Sequence, residues 1–312
     1  MTLQGKAVLE HRQRSLELWQ RMAQPWERRR ELTWRFTRPV SEWLVDRVDP
    51  KPGETLLELA AGTGETGFLA ARRLGAEGRL ISSDFAPEMV QAAERVASEL
   101  GLANVEFRVL DAEQLELADA CVDGVLCRFS FMLMSEPLRA FRETHRVLRP
   151  GGRLAFSTWA GPSRNPWMTL SARLVIERGL MEPFSSDGPG MFALPDADTV
   201  VPLLSEAGFG EIEVEEMELQ WRFDDRDELW TFASELQGPV ALALAELEEE
   251  ERAAVRAALE GHAAEFGADG GYELPGLSLN VAARRLAEPE GIEARRMEDS
   301  AASANGGRGL EE

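Results

Sequence analysis

The stretch Leu56–Gly75 reads LLELAAGTGETGFLAARRLG. An apolar run ends in Glu58, a turn of small residues follows, and Gly62, Gly64 and Gly67 space out as G-x-G-x-x-G before a second apolar stretch. This order predicts a strand, a tight turn and a helix, with glycine where the backbone must turn sharply or approach a ligand closely. The spacing is usually credited to dinucleotide binding. Glu58, however, sits four residues before the first glycine. An anion at that point repels a pyrophosphate at short range, because a cleft offers little solvent screening. A ligand carrying positive charge suits the turn better.

Working outward, short apolar runs alternate with helical stretches. Strands are predicted at Thr55–Ala60, Arg79–Ser83, Val105–Leu110, Val122–Cys127 and, after the turn Pro150-Gly151-Gly152, at Arg153–Trp159. Helices are predicted at Gly67–Leu74, Pro87–Leu100 and Pro137–Leu148. Strands alternating with helices imply βαβ units, right-handed crossovers and a doubly wound parallel sheet. Residues 1–50 read as helices, 51–160 as the α/β core, and 161–286 as a substrate cap with final strands and a helical insertion completing the same domain. In that last part Ala197–Ala207 is a helix, Ile212–Phe223 a strand, Arg226–Phe266 helical and Tyr272–Arg284 the last strand. The acidic run Glu246–Glu251 and the basic run Arg28–Arg30 read as solvated helix faces. Residues 287–312 are polar and Gly-rich, the composition of a disordered tail.

The net charge is −21, from 34 Lys and Arg against 55 Asp and Glu, which argues against a general nucleic-acid partner. Cys121 and Cys127 are the two cysteines and His11, His145 and His262 the three histidines, so neither a disulfide framework nor a metal-ligand cluster is legible. No apolar run approaches the ~18 residues of a membrane span, and no secretory leader is visible in MTLQGKAVLEHRQRSLELWQ. A reducing cytoplasmic location is the expectation. The sequence leaves the oligomeric state open.

Ligands of open parallel sheets bind outside the carboxyl ends of the strands. The predicted ends are Glu58, then Asp84 with Phe85, then Asp111 with Ala112 and Glu113, then Cys127 with Arg128 and Phe129. Three successive ends thus bring a carboxylate to one cleft. The pieces LLELAAGTG, LISSD with FAPEMVQAA, VLDAEQL, DGVLCRFSFM and RVLRPGGRLAFSTW together resemble the class I S-adenosylmethionine-dependent methyltransferases, near the ubiquinone and menaquinone biosynthesis group. The resemblance implies a Rossmann-like sheet of seven strands with the last antiparallel, and S-adenosyl-L-methionine as cofactor. It implies that Glu58, Gly62, Thr63 and Gly64 serve the methionine end of the cofactor. Asp84 would serve the ribose, Phe85 and Met89 the adenine face, Asp111 and the Ala112 backbone the adenine edge, with Glu113 a further cofactor-binding candidate beside them, and Arg128 and Phe129 the cofactor's far side near the acceptor. The family usually has glycine where this chain has Ala60.

Residues 1–50 are then expected to form a lid over a small apolar or aromatic methyl acceptor. Trp19, Met22, Trp26, Met132, Trp159, Asn165, Trp167 and Met168 are its candidate walls, since aromatic and Met-rich surfaces suit such molecules. Methyl transfer needs geometry more than proton transfer, so no catalytic acid or base is nominated. His145, in the helix before the fifth strand, reads as a packing residue, and both cysteines as structural thiols. Two alternatives share the turn: a nicotinamide-dependent oxidoreductase, suggested by G-x-G-x-x-G with Asp84 twenty residues after Gly64, and a non-catalytic cofactor-binding or interaction protein of the same fold.

Overall fold

The computed structural model describes residues 3–184 and 188–287, so the tail expected at 287–312 lies, but for its first residue, outside the described residues. Two long helices come first, α1 (Leu3–Arg28) and α2 (Arg30–Val48). The α/β core follows as β1 (Thr55–Glu58), α3 (Glu65–Leu74), β2 (Arg79–Asp84), α4 (Pro87–Glu99), β3 (Val105–Val109), β4 (Val122–Arg128), α5 (Pro137–Val147) and β5 (Leu148–Trp159). The remainder is α6 (Pro166–Ile176), α7 (Ala197–Glu206), β6 (Phe209–Phe223), α8 (Arg226–Glu235), α9 (Pro239–Ala245), α10 (Glu249–Ala263), the two-residue β7 (Gly267–Ala268) and β8 (Gly271–Arg285).

One sheet organises the molecule, in the order β3-β2-β1-β4-β5-β8-β6, with β7 paired to β8 off this path. β1 to β5 run parallel, while β8 is antiparallel to both β5 and β6. The expected doubly wound sheet with an antiparallel final strand is therefore present. The strand order reverses between β1 and β4, which opens a crevice at their carboxyl ends. β1 is buried along LLE because helices cover both faces of the sheet, so it reads as a continuous apolar run rather than an alternation.

Three local expectations are corrected. The Pro150-Gly151-Gly152 turn lies within β5 as an irregularity: pairing with β4 passes from Val122↔Leu148 to Gly124↔Arg153. β6 begins at Phe209, and its register shifts between Gly210 and Glu213, which breaks the alternation that sequence reading needs. The helical stretch 226–266 divides into three helices, the first break falling at Gly238, whose φ is +48°. His145 packs edge-on against Phe209 and burial holds its pKa low, so it is the packing residue expected. Cys121 and Cys127 are free thiols, the latter buried with its pKa raised by burial. The run Arg28–Arg30 is engaged in ion pairs, Arg28 and Arg29 with Glu235 and Arg30 with Glu99.

Candidate active site

The Leu56–Gly75 turn is built as the motif predicts, but each glycine answers to a different constraint. Gly62 has φ +57°, and a β-carbon there would stand in open space. Gly64 is the residue before α3, with φ +91°, and a β-carbon would run into the Phe68 ring. Gly67 lies in the first turn of α3, where a β-carbon would overlap the Glu58 carboxylate. Only the first of the three opens space for a ligand.

Glu58 is turned beneath this loop and does not line the cleft. Its Oε1 accepts the Gly67 amide at 2.8 Å, the Ser82 hydroxyl lies 3.4 Å from Oε2, and the residue is 2 % exposed. Burial raises its pKa to about 8, against the opposing pull of the Gly67 amide. The carboxyl is therefore mostly protonated at neutral pH, which corrects its expected role as an anion at the mouth of the site. A raised acid pKa means the folded state holds the proton where the unfolded chain has lost it. Stability then falls as pH climbs from 4.5 to about 8. Glu58→Gln should flatten that slope in urea unfolding measured across this range. A slope unchanged by the substitution would assign it to another group.

Asp84 closes the loop from the neighbouring strand. Its Oδ2 accepts the Gly62 amide and its Oδ1 the Ala86 amide, both at 3.0 Å. Burial pushes its pKa up to about 6, opposed by the Ala86, Gly62 and Phe85 amides. The β2 end is thus tied to the glycine loop through one carboxylate. Ala60 sits in the same turn with φ +49°, which explains why the family places glycine there. The left-handed region costs an L-residue ~1–2 kcal/mol. Glycine's greater freedom in the unfolded chain offsets part of that, so Ala60→Gly should raise stability by about 0.5–1 kcal/mol in urea unfolding. A loss of stability would show that the methyl packs usefully.

The cleft is open to solvent on one side, and its walls include Ala60, Phe85, Asp111, Ala112, Glu113 and Ser130 from the sheet side. His11, Arg12, Ser15 and Trp19 of α1 cover it. Arg12 forms ion pairs with both Asp111 and Glu113, and His11 Nε2 hydrogen-bonds the Leu133 carbonyl at 3.0 Å. Glu113 also accepts the Glu136 amide at 2.7 Å. Of the three strand-end carboxylates expected at the cleft, Glu58 is protonated and Arg12 answers Asp111 together with Glu113, while Asp84 is held by the loop amides. Sequence reading missed His11, Arg12 and Ser15. Their spacing with Trp19, at 11, 12, 15 and 19, marks one helical face, but nothing local says that this face covers a cleft.

The other expected residues divide. Met89 is buried in a small cluster with Met22, Ala23, Ala86 and Ala241, away from the cleft walls. Thr63 is buried and donates to Glu65. Arg128 turns toward α2, donating to Thr37 and Ser41, and Phe129 stacks on Trp159 at 3.8 Å. Of the acceptor-wall candidates, Trp19 lines the cleft. The others pack: Met22 in the small cluster, Trp26 against Trp19 and bonded to the Leu236 carbonyl, Met132 and Met168 in the main core. Trp159 and Trp167 belong to a buried aromatic stack that continues to Trp221. Asn165 is a structural fastener, bridging Ala160, Trp167 and Leu277. Hydrophobic aromatic side chains gain most from burial, and composition alone does not separate a pocket wall from a core.

Residues 50–178 match a methyltransferase-domain family. A nocamycin O-methyltransferase of Saccharothrix syringae is 31 % identical over 235 residues, covering 72 % of this chain and 82 % of that protein. The chain belongs to the class I S-adenosylmethionine-dependent methyltransferases. A ubiquinone/menaquinone biosynthesis C-methyltransferase of Acidiphilium cryptum is 32 % identical over 179 residues, 53 % of this chain and 70 % of that one. An arsenite methyltransferase of Halobacterium salinarum is 35 % identical over 163 residues, but the match spans 39 % of its length. Among solved structures, the YcgJ protein of Bacillus subtilis superposes with a TM-score of 0.56 at 16 % identity, covering 81 % of this chain and all of that one. The [4+2]-cyclase SpnF superposes at 0.51 with 23 % identity over 80 % of this methyltransferase and 82 % of that chain. These two likenesses concern the fold, which by itself does not fix a reaction. No helix among the described residues is long and apolar enough to cross a membrane.

S-adenosylmethionine is the cofactor of this family, and the residues present suit it. Gly62 leaves open space where a side chain would stand, Phe85 offers an aromatic wall, and Asp84 keeps spare lone pairs on both oxygens.

Proposed function

We propose that this methyltransferase carries a methyl group from S-adenosylmethionine to a small organic acceptor of apolar or aromatic character, in the cytoplasm. The observation that carries the reading is the cleft at the carboxyl ends of the parallel strands, walled by Ala60, Phe85, Asp111 and Ala112, with the Asp84 carboxylate bonded to the Gly62 amide of the adjoining glycine loop. Two of the relatives are a nocamycin O-methyltransferase and a ubiquinone/menaquinone biosynthesis C-methyltransferase, names that favour a small organic acceptor over a macromolecule. Trp19, Leu133 and Met134 give the cleft an apolar side.

The cofactor supplies a methyl already activated on a cationic sulfur. The chain's part is to hold, orient and exclude water. Asp84 takes the ribose hydroxyls, Phe85 lies on the adenine, and Asp111 with the Ala112 backbone reads its edge. No side chain is assigned as an acid or base. The test is a turnover assay over a panel of phenols, quinols and carboxylic acids, reading S-adenosylhomocysteine release. Release restricted to proteins or RNA would overturn the small-acceptor reading.

We further assign α1 as a lid. It sits on its own small apolar cluster rather than in the main core, and Arg12 fastens it to Asp111 and Glu113. For Asp111 to reach the adenine, that fastening must open. Salt screens part-exposed ion pairs, so the association rate of S-adenosylhomocysteine should rise with ionic strength. In Arg12→Gln the rate should start several-fold higher and lose the salt dependence, as read by stopped-flow fluorescence. A wild-type rate independent of salt would contradict the lid.

A further inference from the structure

Methylation of a hydroxyl releases a proton, which needs a base in the cleft. The titratable groups among the described wall residues are His11, Arg12, Asp111 and Glu113. The last three answer one another: the Arg12 guanidinium pairs with both carboxylates, and Glu113 also takes the Glu136 amide. His11 differs. Its Nε2 lies 3.0 Å from the Leu133 carbonyl, and a carbonyl only accepts, so the proton of the neutral imidazole sits on Nε2. Nδ1 keeps its lone pair and makes no hydrogen bond among the described residues. Leu133 ends the short turn Phe131–Leu133 after β4. His11 is therefore anchored to the sheet side by a bond separate from the Asp111 pairing that the cofactor must open.

Three hydroxyls share the walls. Ser15 is one helical turn beyond His11 on α1, and Ser130 and Ser135 flank the turn that carries Leu133. Ser135 Oγ is buried with no hydrogen-bond partner among the described residues. Buried polar atoms are nearly always bonded, so this one lacks a partner that a polar ligand would supply. The walls also disfavour a carboxylic acid as acceptor. Arg12 is their one cation among the described residues, and two carboxylates already hold it. An incoming carboxylate thus meets no unpaired cation to offset its desolvation. A neutral hydroxyl on an aromatic body meets no such cost.

We propose that His11 is the catalytic base and that the acceptor is a neutral phenolic hydroxyl, to which Ser135 offers a hydrogen bond. The assignment rests on the proposed function. Nδ1 takes the hydroxyl proton while the oxygen's electron pair forms the bond to the methyl carbon. The pair of the broken carbon–sulfur bond stays on sulfur, leaving a neutral thioether. The imidazolium then gives its proton to water on the open side of the cleft. A phenol ionises near pH ~10, within reach of an imidazole as the new bond forms, whereas an aliphatic alcohol does not.

His11→Gln separates a base from a mere fastening, because the glutamine amide can still donate to the Leu133 carbonyl. With the phenols of the acceptor panel its kcat should fall about 10²- to 10⁴-fold, with KM and the affinity for S-adenosylhomocysteine within about threefold. Nitrogen NMR of the wild-type complex with S-adenosylhomocysteine should show His11 protonated on Nε2 and bare on Nδ1, and the Nδ1 signal should move when a phenol is added. A kcat within threefold of wild type, or a proton on Nδ1 with Nε2 bare, would overturn the base. Equal loss of S-adenosylhomocysteine binding would make His11 a fastening of the lid and overturn it too. Turnover confined to carboxylic acids would overturn the acceptor class while the proposed function stands, and no turnover of any small molecule would overturn both.

Discussion

Replacing Asp84 with alanine should weaken S-adenosylmethionine binding by about 100-fold, through loss of charge-assisted bonds to the ribose hydroxyls. The same change frees the Gly62 and Ala86 amides that the carboxylate holds, at a stability cost of about 2–5 kcal/mol for two largely buried donors. Both consequences follow from one feature, the placement of a carboxylate between the β2 end and the glycine loop. The pH dependence carries the sign. With a pKa of about 6 in the free protein, Asp84 is ionised at neutral pH and protonated in mild acid. Affinity in wild-type protein should therefore decline as pH falls below about 6, and the Asp84→Ala variant should lose that decline. Calorimetry at several pH values checks it; an affinity within threefold of wild type would mean the cofactor lies elsewhere.

The second large effect is on folding. Gly67→Ala forces a methyl group into the Glu58 carboxylate and against Leu80. It also strains the 2.8 Å bond from the Gly67 amide. Overpacking of this kind costs about 1–3 kcal/mol, and disturbing a buried hydrogen-bonded acid adds about 1–3 kcal/mol more. The cost should shrink by about half in a Glu58→Ala background, where the space is vacated, as a double-mutant cycle would measure. An undiminished cost would place the clash on Leu80 or on the helix backbone instead.

Much of this fold is legible in the sequence because its strands are buried on both faces and its helices end in strong local signals. LLE, RLISSD and DGVLCR are short segments with apolar pairs or triplets at their centre or start, and helix-starting prolines at Pro87 and Pro137 mark α4 and α5. The edge strand β6 was readable only in part, since the shift between Gly210 and Glu213 interrupts its period. At the site, Asp84, Phe85, Asp111 and Ala112 fall where the strand ends put them, which depends on connectivity that the sequence states. What the sequence withholds is direction and pairing. Glu58 is at its strand end, yet its carboxylate points beneath the loop. Asp111 and Glu113 are at theirs, yet Arg12 from a helix about 100 residues earlier meets them. Three strand-end carboxylates thus mark the family by position, while their side chains only partly present negative charge to the cleft. The Trp candidates fail for a simpler reason, since a tryptophan suits a core as well as a cofactor cleft.

The central claim is that the β1–β4 cleft of this chain binds S-adenosylmethionine rather than a nicotinamide dinucleotide. A calorimetric titration of the purified protein with each ligand tests it most directly. The account predicts micromolar binding of S-adenosylmethionine, lost in Asp84→Ala, and no heat from NADH; micromolar binding of NADH without S-adenosylmethionine binding would contradict it.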